Sequence, residues 1–185
     1  MDTKSRIIEV ATNLFQKKGY IGVGLNEILK ECNISKGSLY HHFPNGKEEL
    51  LITCLQSLNE AITEDIEGIY HRYATTKEAT NVMVEQLIEK FEREGTLTGY
   101  TFSSIVSEMA ALSDPVREAC AGLYKKMQDI YYHKLVADGL SNDKAYAYAL
   151  MMTASIEGAM MLCLTQNSAE PLKVLLKMLP NLIEK

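Results

Sequence analysis

Ser35-Lys36-Gly37-Ser38-Leu39-Tyr40-His41-His42-Phe43-Pro44 is the stretch whose reading decides the fold. Leu39 and Phe43 stand four residues apart, so on a helix they share one face and form an apolar stripe that anchors it to whatever lies beneath. Ser35 is suited to cap that helix through its hydroxyl. The other side chains face outward. Lys36, Tyr40, His41, His42 and the nearby Lys47 are donors that fit phosphate oxygens, while Ser38 is small enough to let the helix sink into a major groove. A short helix with two anchors and a donor-rich outer face is shaped to touch DNA.

Upstream, Leu25 to Cys32 reads as a second short helix with Ile28 and Leu29 inward, followed by Asn33-Ile34. The sharp turn between two such helices needs a residue that tolerates positive φ, and Asn is the best non-glycine choice. Ile34 then fills the space between the helices. The pattern is that of a helix-turn-helix, although any two short helices joined by a polar turn would look alike until their context is considered.

The context is specific. Residues 4 to 50 resemble the DNA-binding domain of the TetR/AcrR family of bacterial transcriptional repressors. The resemblance rests on Ile7, Ile8, Ala11, Leu14 and Phe15 on one face of a first helix, then Gly19-Tyr20, Ile28, the run Ser35 to Phe43, and Lys47-Glu48-Glu49-Leu50. It implies that Lys36, Gly37, Ser38 and His41 face the groove and that Ser35, Tyr40, His42 and Lys47 hold phosphates. Three departures stand out. Val23 and Gly24 replace the family's usual Thr or Ser, which removes a helix cap and a phosphate contact that Asn26 is placed to supply. Leu29 and Asn33 occupy positions where Ala and Gly are commoner, which predicts slightly wider or tilted packing between the two helices. Gly46 is an extra residue, and Pro44-Asn45-Gly46-Lys47-Glu48-Glu49 resembles the LmrA/YxaF-like subgroup, as do the segment from Gly99 to Pro115 and Ile156-Glu157-Gly158-Ala159.

Composition agrees with a soluble regulator, since 185 residues at 46% hydrophobic content can bury a substantial core. Residues 1 to 50 carry 7 basic against 6 acidic side chains, and the remainder 12 against 18. That balance excludes indiscriminate coating of nucleic acid but permits a local cationic face. Cys32, Cys54, Cys120 and Cys163 are widely spaced with no metal-binding pattern, and read as small buried residues, with a redox-sensing thiol as the alternative. His41 and His42 diverge by about 100° on a helix and make a poor metal site. No Gly-rich phosphate loop, metal spacing or nucleophile elbow appears, so neither a metal, a cofactor nor an enzymatic activity is expected. The first apolar stretch is interrupted by Glu9, Asn13 and Gln16, unlike a signal peptide, and the reducing cytoplasm is the expected compartment.

Beyond residue 50 no sustained alternation predicts a strand. A fourth helix is expected from Lys47 to about Tyr70, a fifth from about Lys77 to Glu94, and a sixth carrying Phe102, Ile105, Val106, Met109 and Leu112. A seventh begins at Asp114-Pro115 and is closed by Gly139. Ala145 to Leu164 holds one charge, Glu157, and is long enough to span a membrane. Its small residues and unflanked ends instead favour a helix buried in a subunit interface. The last helix carries Leu172, Leu175, Leu176, Leu179, Leu182 and Ile183 as a matching stripe, with Pro180 expected to kink or fray its end; ordinary core packing is its plainer use.

These expectations describe an all-α chain of about nine helices, with a three-helix head over residues 1–46 and a helical body over 47–185. The resemblance implies that the last two long helices pair with those of a second copy, giving a homodimer on a pseudo-palindromic double-stranded operator. It implies too that the middle helices form an effector pocket for a small hydrophobic or aromatic inducer. Phe91, Tyr100, Phe102, Met109, Tyr124, Met127, Tyr131, Met152 and Met161 are available to line it, and Glu157 to face a cation. The same residues at the same spacing would serve any helical core. The alternative to a ligand-responsive repressor is a helical interaction protein whose DNA-binding head is vestigial.

Overall fold

The computed structural model describes residues 2–97, 105–106, 108 and 113–182. Among the described residues there is no strand. Eight helices follow in order: α1 (Thr3–Lys18), α2 (Leu25–Cys32), α3 (Lys36–His42), α4 (Lys47–Arg72), α5 (Thr76–Glu94), α6 (Asp114–Ala137), α7 (Asn142–Gln166) and α8 (Glu170–Leu182). The helix expected to carry Phe102, Met109 and Leu112 falls mostly outside the described residues, and its described members Ile105, Val106 and Glu108 are helical.

Two compact units divide the chain, one of residues 1–61 and 98–123, the other of 62–97 and 124–185. In the first, Asp2 caps α1 by accepting from Ser5 N at 2.7 Å. Ile7, Ala11 and Phe15 then recur along the buried face of α1, and Val23, Ile28, Cys32, Leu39, Phe43, Leu50 and Leu51 are buried in the same unit. Complete burial of a side chain such as Phe15 contributes roughly 1.5–3 kcal/mol.

The second unit is built on α5, α7 and α8, with α8 packed against both of the others. Thr75 and Glu78 form a capping box at the start of α5, each side chain satisfying the other's backbone N–H. Gly139, at φ 96°, closes α6 as expected, with its N–H on Val136 O and that of Leu140 on Leu135 O. Helix α8 runs on to Leu182, so Pro180 does not end it.

Helix α7 is long and apolar enough to cross a membrane by length and composition. One of its faces is nonetheless core: Ala145, Ala149, Met152, Thr153, Ile156, Ala159, Met160 and Cys163 are buried, and the Thr153 hydroxyl donates back to Ala149 O at 2.9 Å.

Candidate nucleic-acid interface and effector site

The residue that sets up α3 is Asn33, which adopts φ 50°, ψ 51° at the end of α2. This left-handed turn lets Ile34 N bond Leu29 O at 3.1 Å and redirects the chain into α3. Ser35 caps the new helix, accepting from Ser38 N at 3.1 Å. Leu39 and Phe43 are each only 1% exposed, so the helix is pinned along the predicted stripe. Lys36, Gly37, Tyr40 and His41 are exposed, while Ser38 and His42 are half-buried. Lys36 Nζ lies 5.8 Å from the Tyr40 ring centroid. The outer face is therefore one of donors spaced along two turns.

The departures noted in the sequence have visible consequences. Gly24 precedes α2 in extended conformation and supplies no side-chain cap, while Val23 is fully buried. Asn26 and Leu29 border a groove of about 290 Å³ between α2 and α3, closed by Lys36, Leu39 and Tyr40. Gly46 takes φ 78° and closes a turn with its N–H on Phe43 O, which delivers Lys47 to the start of α4. Lys47 does not point freely outward. Its Nζ donates to Tyr20 O at 2.5 Å and lies 3.9 Å from the Tyr20 ring centroid, and burial pushes its pKa below the usual lysine value against the opposing pull of Glu108.

In the second unit, Phe91, Met127, Tyr131 and Met152 are buried. Tyr124 and Glu157 are half-buried, and the tyrosine hydroxyl donates to Glu157 Oε2 at 3.4 Å. Removal from water pushes the Glu157 carboxyl up to about 7, opposed by that hydrogen bond. Tyr131 OH donates to Met83 Sδ at 3.6 Å, and its ring lies 5.2 Å from that of Tyr70. Met161 is 40% exposed and sits on the outer face of α7. Tyr100, Phe102 and Met109 lie outside the described residues.

Sequence reasoning missed Tyr70 and Thr80, whose hydroxyls meet at 2.7 Å in this interior, because a tyrosine near a helix end carries no pattern of its own. It missed Glu108 as well. The signal was present, since Glu108 is the sole charged residue between Glu94 and Asp114. All four cysteines are buried and their thiols pushed up by burial, Cys54 to about 12 and Cys120 to about 11, which leaves them protonated and poorly nucleophilic. Among the described residues no cluster could hold a metal ion.

Residues 7–54 match the model of bacterial regulatory proteins of the tetR family, and residues 76–178 match the C-terminal domain of LmrA/YxaF-like transcriptional regulators. The chain belongs to the TetR family. Within it, the HTH-type transcriptional regulator LmrA of Bacillus subtilis is 34% identical across 100% of this chain and 98% of its own length. A second regulator of that organism, YxaF, is 32% identical over 100% of this chain and 96% of its own. The fold matches the reduced form of Escherichia coli NemR with a TM-score of 0.88, covering 99% of this chain and 98% of that one at 22% identity. This TetR-family protein is thus a transcriptional regulator with an N-terminal DNA-binding domain, and its relatives are regulators, not enzymes.

Proposed function

We propose that the protein is a cytoplasmic repressor that leaves its operator when a small hydrophobic or aromatic inducer binds the body. The observation that carries the DNA-binding part is α3 itself, pinned by buried Leu39 and Phe43 and presenting Lys36, Gly37, Tyr40 and His41 outward. Residues 1–46 form the head, in which Lys36, Gly37, Ser38 and His41 read the groove and Ser35, Tyr40, His42 and Lys47 hold phosphates. Residues 47–185 form the body.

Dimerisation is supported by an apolar outer face on α7 and α8. Leu162, Val174 and Met178 are 49%, 47% and 54% exposed beside a groove of about 510 Å³ floored by Ala154, Gly158 and Ala159. Small residues admit close helix approach, and burial against a second copy removes the exposed apolar surface from water. Two-fold symmetry then presents two α3 helices to successive major grooves about 34–36 Å apart on a pseudo-palindrome.

The inducer binds among Phe91, Tyr124, Met127, Tyr131 and Met152, which are buried or half-buried in the second unit, with Glu157 able to face a cationic group. Its binding shifts α4 and changes the spacing of the two heads, so that inducer and operator weaken each other by the same factor. Replacing Lys36 and Tyr40 by Ala tests the reading. The double variant retains its thermal melt and loses about 30-fold or more in DNA affinity, since two contacts at roughly 1–3 kcal/mol each sum to about 2 kcal/mol or more. A protein with a vestigial head would show wild-type activity in this variant.

A further inference from the structure

The peptide group that joins Tyr20 to Ile21 is held at both ends. Its carbonyl accepts from Lys47 Nζ at 2.5 Å, and its N–H donates to Glu108 Oε2 at 3.0 Å. A peptide unit carries a dipole of about 3.5 D. Here a cation meets its negative end and an anion its positive end, so both charges are stabilised through one polar group. The Tyr20 ring adds a second hold on the ammonium, 3.9 Å from its centroid.

The carboxylate is closely seated. A Cβ at Gly19 would collide with it, and Gly19 has φ 71°, so the loop between α1 and α2 is shaped around Glu108. The same stretch of chain makes another tie nearby, where Ser113 Oγ donates to Glu48 Oε1 at 3.0 Å in the first turn of α4. Three separate segments therefore converge on one peptide bond: the α1–α2 loop, the start of α4, and the segment that follows α5.

We propose that Glu108 is a positioning residue for DNA binding, whose carboxylate, acting across the Tyr20–Ile21 peptide, competes with DNA phosphate for Lys47. The proposal rests on the reading of Lys47 as a phosphate contact. An ammonium has three donors, of which Tyr20 O takes one, so Lys47 can still reach a phosphate oxygen. A neighbouring carboxylate reduces what that contact yields, because the incoming charge is of its own sign. Neutralising Glu108 therefore adds one effective cation to the head.

The experiment measures binding to a mixed-sequence duplex of about 30 base pairs by fluorescence anisotropy between about 50 and 200 mM salt. It compares the wild type with E108Q, E108A, E108D, K47M and K47M/E108Q in the full chain. Glutamine keeps an oxygen for Ile21 N–H and removes only the charge. E108Q binds more tightly than wild type at the low-salt end, and its log–log salt slope is steeper by about 0.9 per head, the value for one more neutralised phosphate. E108A steepens likewise, which makes the result independent of how well glutamine fits, and E108D keeps the wild-type slope. K47M/E108Q has the slope of K47M. An unchanged slope in both E108Q and E108A, or an equal steepening without Lys47, overturns the proposal while leaving DNA binding intact. A wild type that binds no duplex at low salt overturns the reading of the head on which the proposal stands.

Discussion

Helices α3 and α7 meet the same physical demand with opposite surpluses. Helix α3 has seven residues, too few to persist alone in water, and survives on a serine cap and two buried anchors. What it leaves exposed is a row of donors. Helix α7 has 25 residues and buries eight of them, and what it leaves exposed includes Tyr146, Leu150, Leu162 and Leu164. Neither surplus helps its own unit to fold. A helix that holds hydrogen-bond donors in a fixed row is matched to a polyanion, whereas a helix that holds apolar surface beside alanine and glycine is matched to another helix. The two surfaces suit partners of different chemistry.

Helix α3 is most vulnerable at its anchors. Phe43→Ala removes a side chain that α3 cannot replace, and about 3–5 kcal/mol of stability goes with it. Denaturant melts followed by helical signal register that loss together with the loss of DNA binding. On the α7 side, Leu162→Glu places a charge where the partner helix should lie, weakening self-association by about 2–4 kcal/mol without altering the monomer's fold. Sedimentation equilibrium then finds the variant monomeric at concentrations where the proposed wild-type dimer forms.

A half-buried carboxyl in the middle of α7 sets the two helices further apart. Glu157 holds its proton to about pH 7 in the folded protein, against an ordinary 4.5. The folded state therefore binds more protons than the unfolded state between those values, and stability falls as pH rises from about 4.5 to 7 and stays low above that. Glu157→Gln escapes the loss, so it melts at nearly the wild-type temperature at pH 4 and is more stable by about 2–3 kcal/mol at pH 8.5. The smallest effect belongs to the cap of α3. Ser35→Ala leaves Ser38 N–H without its acceptor and costs about 1 kcal/mol, measurable as a lowered melting midpoint.

Much of this was legible in the sequence because local chemistry decided it. Asn33 adopts the left-handed conformation that its place after α2 demands, Ser35 caps α3, and the Leu39–Phe43 stripe is buried, each set by residues within one or two turns. The closing of α6 at Gly139 is equally local. What escaped the sequence is long-range. Glu108 reaches Ile21 across 87 positions of chain, and no periodicity links a lone carboxylate to a distant peptide N–H. Lys47 read as a simple outward donor, and its engagement with Tyr20 arises because the Gly46 turn points it back at the α1–α2 loop. Met161 joined the candidate lining on helical spacing alone, yet it occupies the exposed side of α7, since an all-round apolar helix gives no hint of which face is inside.

In the proposed function, α3 reads a DNA sequence as one of a symmetric pair. The most direct measurement is selection of host genomic fragments by the purified protein at about 150 mM salt, where non-specific phosphate contacts are weak. The wild type should recover one pseudo-palindrome with half-sites one helical turn apart, and the Lys36→Ala/Tyr40→Ala variant no common sequence. Enrichment of the same fragments by both proteins, or of fragments with no shared sequence by the wild type, would contradict the proposed function.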